Sequence, residues 1–211
     1  MRIALFGASG RIGQRILREA LDRNHYVIAI VRDPKKITIS NPKLTVISAD
    51  IRDPNQVAKV VRGTDVVVAS IRPDTGHESD LVIMAKSLIE GTKLAKVNRL
   101  IFVGGAGSLE VEPGKRLMDM PNFPTEWRAI AQAAAEALEV FKKEKELDWV
   151  YVSPPMFIEP GVRTGKYRID TDKLIFDSQG RSYISMEDFA VAILYEIEKP
   201  RFHRQRFTVG Y

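Results

Sequence analysis

Three glycines spaced three residues apart follow the first apolar run of the chain, in the stretch MRIALFGASGRIGQRIL. Met1 to Phe6 has the apolar character of a buried strand, and Ile12 to Leu21 places apolar residues on one face of a helix. A glycine turn between a strand and a helix leaves backbone N–H groups and the positive end of the helix dipole at one point, which attracts phosphate. The opening of the chain therefore predicts a strand, an anion-binding turn and a helix.

Each glycine has its own steric role in this prediction. Gly7 permits a tight exit from the strand, Gly10 lets the backbone approach a pyrophosphate, and Gly13 lets the helix pack close to the sheet. The spacing is GxxGxxG rather than the commoner GxGxxG, and a glycine-rich turn without a ligand is the alternative. The predicted pyrophosphate site consists of Gly7, Ser9, Gly10, Arg11, Ile12 and Gly13.

Apolar runs and helical patterns alternate through the next 150 residues. Further strands are predicted at YVIAIV, LTVISAD, DVVVAS, RLIFVGG and WVYVSP, with helices from about 54 to 62, 77 to 95 and 125 to 146. Nearly all-apolar strands that alternate with helices indicate a parallel sheet covered on both faces. The expected fold is a Rossmann-like, doubly wound α/β fold.

The last quarter of the chain departs from this rhythm. GKYRID and KLIFD are predicted as short strands, and a capping box at 185 to 188 opens a helix that runs to Glu198. RQRFTVGY is predicted to close the sheet as an edge strand. We expect a small C-terminal region on the substrate side, within one domain of 211 residues, because no linker or repeat interrupts the chain.

The residue that ends the second strand selects between dinucleotides. An acidic side chain there accepts hydrogen bonds from a free ribose 2′-hydroxyl, whereas an arginine pairs with a 2′-phosphate. The strand YVIAIV is followed by Arg32, with Lys35, Lys36 and Arg11 nearby, so NADP(H) is the preferred cofactor. NAD(H) is the alternative if the strand runs longer and Asp33 takes the acidic role.

Other strand ends are expected to complete the cofactor site, because ligands of open α/β sheets bind at the carboxyl edge. Asp50 and Ile51 offer an acceptor and an apolar face to an adenine ring, while Ala69 and Ser70 are small enough for a ribose or pyrophosphate to pass. Each of these could instead be an ordinary loop residue. The remaining expected cofactor contacts are Gly104, Gly105, Pro154 and Pro155.

Composition narrows the classes of partner. The 32 basic and 27 acidic residues are interspersed, which argues against a nucleic-acid surface. There is no cysteine, and the three histidines lack the spacing of metal ligands, so no metal site is expected. No apolar run reaches membrane-spanning length and no signal-peptide cleavage site is present, so we expect a cytoplasmic protein, a monomer or homodimer, that acts on a small molecule.

The motifs GASGRIG, VRDP, ADIRD, GTDVVVAS and LIFVGGAGS occur in the order and spacing of a known group. They resemble the atypical, NmrA-like NAD(P)-binding members of the short-chain dehydrogenase/reductase superfamily. DWVYVSPPMFIEPGVRTGKYR, GRSYISMEDFAVAILYEIEKP and RFTVGY are similar to the C-terminal blocks of the proposed NADH-flavin reductases, which resemble biliverdin/flavin reductases. The resemblance covers essentially the whole chain and implies an NAD(P)H-dependent oxidoreductase.

The superfamily's catalytic pair, a tyrosine and a lysine four residues later, is missing from its usual helix. Trp127 and Ala131 stand near those two positions, and neither can transfer a proton. The YxxxK of Tyr195 lies at the end of the last helix and is interpreted as a coincidence. Ser108 alone matches the family serine, and it is our candidate catalytic residue, with a loop serine bonded to local backbone as the alternative.

An enzyme without the proton donor favours an acceptor that spreads the arriving charge over its rings. We therefore expect a flavin, FMN or FAD as substrate rather than prosthetic group, or a similar planar acceptor. Residues 104 to 124, without clear regular structure, are expected to form a lid or a pocket wall beside it. The expected substrate contacts are Met118, Phe123, Trp127 and Met156, which could instead only cover the sheet edge.

Two other functions stay open. An NmrA-like protein could bind NADP(H) as a redox signal without turnover, since both hypotheses explain the glycines. An epimerase or dehydratase acting on a sugar nucleotide is a third, weakened by the absent tyrosine and the small C-terminal region.

Overall fold

Strands and helices alternate along the chain as the apolar pattern predicts. The computed structural model describes all 211 residues. The helices are α1 (Arg11–Asp22), α2 (Pro54–Val61), α3 (Asp80–Leu94), α4 (Thr125–Lys143) and α5 (Met186–Glu198). The strands are β1 (Arg2–Phe6), β2 (Tyr26–Val31), β3 (Leu44–Ser48), β4 (Val66–Ala69), β5 (Arg99–Val103), β6 (Glu110–Glu112), β7 (Lys115–Arg116), β8 (Asp148–Ser153), β9 (Phe157–Glu159), β10 (Arg168–Asp170), β11 (Tyr183–Ser185) and β12 (Gln205–Gly210).

Eight of the strands form one sheet in the order β10-β12-β8-β5-β4-β1-β2-β3. All neighbours in it are parallel except β10, which pairs antiparallel with β12. The chain winds outward from β1 to β3, returns to β4 beside β1, and then winds the other way. This order confirms the Rossmann-like, doubly wound α/β fold and creates a switch point between β1 and β4, where ligands of such sheets bind.

Helices cover both faces of the sheet, which is why its inner strands are apolar throughout. β4 and β5 are buried over their whole length. On one face, α1 and α5 pack over a core that includes Ile16, Leu17 and Phe189. On the other, α2, α3 and α4 pack over a core that includes Phe102 and Phe141. None of the helices is long and apolar enough to cross a membrane.

The C-terminal quarter corrects two predictions. RQRFTVGY is not an edge strand, because β10 adds antiparallel to its outer side and leaves β12 between β10 and β8. KLIFD is not a strand, because the only pairing in this stretch is an isolated bridge between Lys173 and Glu110. The Leu174 N–H donates to the Glu110 carbonyl, so this stretch is fastened to the segment that precedes α4.

That preceding segment, Gly104 to Pro124, is more regular than predicted. We call it the lid segment. It contains the hairpin of β6 and β7, whose turn uses Gly114 at a φ of +75°, and a 3-10 turn over Leu117–Asp119. Its own side chains Leu109, Leu117 and Phe123 are buried in a small core that is separate from the two cores of the sheet. The lid segment is therefore a packed structure with its own apolar support.

Candidate functional site

A cleft of about 960 Å³ runs along the carboxyl ends of β1 to β5 and β8. Its floor is made by residues at the ends of neighbouring strands, such as Phe6, Val31 and Val103. The switch point between β1 and β4 lies at its centre. The cleft therefore occupies the position at which open α/β sheets bind their ligands.

The glycine turn between β1 and α1 is confirmed as a place where side chains are excluded by backbone. Gly7 has a φ of +76°, and a Cβ there would lie 2.0 Å from the Ser70 carbonyl oxygen. A Cβ on Gly13 would lie 2.0 Å from the Gly7 carbonyl oxygen. Gly10 differs, because its Cβ would meet only that same oxygen, at 3.2 Å. Gly7 and Gly13 are thus required by packing, whereas the space over Gly10 is left to the cleft.

The N-terminus of α1 is prepared for an anion. Gly10 is its N-cap, so no side chain caps the helix, and its first turn holds no acidic residue. The side-chain Nε2 of Gln14 donates to the Ser9 carbonyl at 3.0 Å and fixes the turn. Uncapped N–H groups at a helix start stabilise negative charge by hydrogen bonding and by the helix dipole. All predicted turn residues line the cleft except Gly13, which lies behind it: Gly7, Ser9, Gly10, Arg11 and Ile12.

One half of the cleft, beside β1 to β4, is densely charged, and we call it the charged half. Its ionisable lining residues are Arg11, Arg32, Asp50, Arg52, Arg72, Asp74, His77 and Asp80. Arg32 Nη1 and Nη2 donate to the two carboxylate oxygens of Asp74 at 2.7 and 3.1 Å. These hydrogen bonds hold the pKa of Asp74 below its usual value. The two side chains are 77% and 65% exposed, so a ligand phosphate can replace the carboxylate at little cost.

The alternative residue for the 2′-position, Asp33, does not line the cleft. β2 ends at Val31, and the Asp33 carboxylate accepts a hydrogen bond from the Lys35 N–H at 3.1 Å. Arg32 is the side chain that the strand end delivers to the charged half.

The adenine contacts predicted after β3 line the cleft but carry an extra partner. Asp50 and Ile51 are both in the lining. Arg52 donates to the Asp50 carboxylate from its backbone N–H at 3.0 Å and from its guanidinium at 3.1 Å. These hydrogen bonds lower the pKa of Asp50. Arg52 thus adds a planar cation to the part of the cleft where the adenine is predicted.

The remaining predicted cofactor residues divide into lining and supporting ones. Ser70, Gly104, Gly105, Pro154 and Pro155 line the cleft. Ala69 is fully buried behind it, as the last residue of β4.

Gly104 has a packing role that its position in the chain did not predict. A Cβ there would lie 1.9 Å from the ring of Tyr151, whose hydroxyl donates to the Ala134 carbonyl at 2.7 Å. Burial raises the pKa of Tyr151, so this phenol stays protonated and supports the strand end.

The other half of the cleft, beside β5 and β8, is lined by apolar and small residues, and we call it the apolar half. The ring centroid of Trp127 lies 6.3 Å from that of Phe123 and 6.1 Å from that of Phe157. In both pairs the rings meet edge-on, at an interplanar angle of 77°. Met156 also lines it. Three predicted substrate contacts, Phe123, Trp127 and Met156, are therefore brought together. Met118 is not among them, because its side chain does not line the cleft and packs instead in the small core that includes Leu109 and Leu117.

Ser108 does not line the cleft. Arg206 Nη1 donates to its hydroxyl at 2.9 Å and to its carbonyl at 3.1 Å. The same guanidinium donates to Asp172 from Nε at 3.0 Å, so the serine helps to fasten the lid segment to β12. Tyr195 is also outside the cleft, with its ring beneath the guanidinium of Arg23.

Several lining residues escaped the sequence analysis. Arg52, Arg72 and Asp74 follow strands β3 and β4 within a few residues, and charge placed just after a buried strand was the signal that could have found them. Phe157 and Glu159 were missed as well; they follow β8 within six residues and lie in β9, which pairs with β11.

Comparison with known proteins agrees with this geometry. Residues 7–200 match the model of a family described as NAD(P)H-binding. The uncharacterized protein YwnB of Bacillus subtilis is 39% identical over 212 residues, which cover 99% of this chain and 98% of YwnB.

Two solved structures extend the comparison. A proposed epimerase from Bacteroides thetaiotaomicron is 44% identical, with a TM-score of 0.94 over 100% of this chain and 96% of its own. A proposed NADH-flavin reductase from Streptococcus pneumoniae is 30% identical, with a TM-score of 0.87 over 100% of this chain and 99% of its own. The names of these two proteins point to different reactions, an epimerisation and a flavin reduction, so the names do not identify one substrate.

Proposed function

Because the chain belongs to the NAD(P)H-binding family, we propose that it is a reductase that transfers a hydride from NAD(P)H to a flavin or similar planar, conjugated acceptor. The acceptor is a substrate and not a resident prosthetic group. The name of the Streptococcus pneumoniae relative is consistent with this class of reaction.

The composition of the apolar half carries the proposal. Trp127 and Ala131 both line it, near the positions of the superfamily's tyrosine and lysine, and neither holds a titratable proton. Its only ionisable lining residue is Glu159. A carbonyl reduced to an alcohol gains from a positioned acid, typically by a factor of about 100 to 10,000. A conjugated ring spreads the new charge and needs flat apolar contact instead, which Trp127 and Phe157 offer.

The protein's contribution is then proximity and orientation. When bound, NAD(P)H supplies a hydride, and a proton from solvent completes the two-electron reduction of the acceptor ring. The glycine turn would hold the pyrophosphate, and Pro154 and Pro155 would form the wall beside the nicotinamide. Trp127 and Phe157 would orient the acceptor ring against it.

We propose NADP(H) as the preferred cofactor. Arg32 lines the charged half while Asp33 does not, and Arg11, Arg52 and Arg72 add positive charge to the same half. An enzyme that prefers a free 2′-hydroxyl would have an acidic residue at the end of β2, where this chain has Arg32.

The test is NADPH consumption by the purified protein in the presence of riboflavin, FMN and a quinone, followed by absorbance against a blank without protein. Acceptor-dependent oxidation well above the blank is the expected result. The variant Trp127→Ala should lower it, while Tyr195→Ala, an aromatic deletion outside the cleft, serves as the matched control.

Tight NADPH binding without acceleration for any acceptor would favour the redox-sensing alternative, which the missing tyrosine and lysine also permit. The small-molecule partner, the monomer or homodimer state and the cytoplasmic location stay predictions. Size-exclusion chromatography with light scattering decides between the two oligomeric states.

A further inference from the structure

Charge is distributed unequally between the two halves of the cleft. The charged half has four arginines, three aspartates and a histidine in its lining. The apolar half has no lysine, arginine or histidine in its lining, and its single ionisable residue is the carboxylate of Glu159 at the end of β9. A phosphate or carboxylate on the acceptor would therefore meet a carboxylate there and no cation.

The basic residues around the apolar half are committed to other partners. Arg128 donates to the Met118 carbonyl at 3.3 Å and lies over the Phe123 ring at 5.8 Å. Arg116 pairs with Asp119 within the lid segment, with Nε donating at 2.7 Å. Arg206 is only 9% exposed and pairs with Asp172. None of these guanidinium groups lines the cleft, so none is placed to receive an anionic substituent.

The cofactor adds to this asymmetry. A bound dinucleotide would place its pyrophosphate at the glycine turn, between the two halves, where Arg11 directly follows Gly10. The positive groups of the lining are thus adjacent to the cofactor's own phosphates. A second anion in the apolar half would be repelled by Glu159 and by the pyrophosphate without compensation.

Resting on the proposed function, we infer that the acceptor taken by the apolar half is a planar ring system without an anionic substituent. Among flavins this means the dephosphorylated riboflavin in preference to FMN, and among other acceptors an uncharged quinone. Glu159 acts as the residue that selects against anionic acceptors.

Riboflavin and FMN are a matched pair of probes, because they share the isoalloxazine ring and differ in one phosphate. With NADPH saturating, kcat/KM for riboflavin should exceed that for FMN by roughly fivefold or more, since two like charges at close range in a water-like medium cost about that factor. Glu159→Lys should reverse the charge and shift the ratio toward FMN by a similar factor. Glu112→Lys, the same substitution on the exposed lid hairpin outside the cleft, is the control and should leave the ratio unchanged.

Equilibrium dialysis of each flavin against the NADP⁺-saturated protein separates this inference from the proposed function. Preferential binding of riboflavin without turnover supports the inference and rejects the reductase. Turnover with FMN equal to or better than riboflavin, or a ratio that Glu159→Lys does not move, overturns the inference and leaves the reductase standing. Failure of both flavins to bind or react overturns both.

Discussion

The charged half and the apolar half share one cleft but are built from different parts of the chain. The charged half is made from short loops that directly follow β2, β3 and β4, so its residues stand close to buried strands. The apolar half collects the lid segment, the start of α4 and the residues after β8. The difference indicates that the sheet itself positions the charged half, where we propose that the dinucleotide binds, while the proposed acceptor site depends on the packing of segments that lie outside the sheet.

The two halves also differ in how their residues are held. Arg32 and Asp74 pair as exposed side chains, which a ligand can separate. Phe123 and Phe157 each pack edge-on against Trp127; Phe123 is only 7% exposed, and Phe157 is 43% exposed. The charged half can therefore rearrange around a phosphate, whereas the apolar half presents a preformed wall.

The largest effect is expected from a substitution in the glycine turn, which lies between the two halves. Gly10→Val should weaken binding of both NADPH and NADH by at least about 100-fold, because its side chain occupies the space of the pyrophosphate. The fold should survive, since Gly10 has a φ of −74° and its Cβ meets little. Titration calorimetry and thermal unfolding measure the two properties.

Gly13→Val is the matched variant with the opposite expectation. A Cβ at 2.0 Å from the Gly7 carbonyl oxygen forces α1 away from β1, so the protein should unfold at a lower temperature or fail to fold. If Gly10→Val binds NADPH within tenfold of the native protein, the glycine turn is not the pyrophosphate site.

The next effect is confined to the charged half. Arg32→Ala should weaken NADPH binding by about 10- to 100-fold and NADH binding by no more than about threefold, because a charge-assisted hydrogen bond to the 2′-phosphate contributes about 1.5 to 3 kcal/mol. Calorimetry with both cofactors makes the comparison. An equal loss for the two would reject the assignment of Arg32 to the 2′-phosphate.

A smaller effect is confined to the apolar half. Trp127→Ala should lower kcat/KM for the acceptor by up to about tenfold, the value of an aromatic contact, and change the Kd of NADPH by less than about twofold. Steady-state kinetics and calorimetry read the two halves separately. A large loss of NADPH affinity in this variant would show that the halves are not independent.

The smallest effect tests whether Asp74 competes with the cofactor. Asp74→Asn should strengthen NADPH binding by about threefold, since it frees Arg32 and removes a negative charge near the 2′-phosphate. NADH binding should stay within about twofold of the native value, because it brings no phosphate to that position. Weaker NADPH binding in this variant would instead make Asp74 a contact of the ribose.

Much of the fold and of the cofactor site could be predicted because it depends on local pattern. The apolar runs predicted the inner strands, and the spacing of Gly7, Gly10 and Gly13 predicted the turn at the first strand end. Arg32 was predicted in the same way, since it directly follows β2, and the structure places it in the lining of the cleft.

The remainder depends on contacts between distant parts of the chain. The hydrogen bond from Arg206 to Ser108 joins residues 98 positions apart. It holds the candidate serine against β12, outside the lining of the cleft. The edge position of β10 was missed for a similar reason, because its partner β12 lies far from it in the chain.

The sequence by itself determined the layer order, the glycine turn and the strand ends that line the cleft, because periodicity and backbone sterics act over a few residues. Only the tertiary structure decided which side chains of the lid segment and of β9 reach the cleft. That outcome depends on how apolar residues that are far apart in the chain pack together. Leu109 of the lid segment and Leu174, for example, share one small core. It also decided that the apolar half contains one carboxylate and no cation.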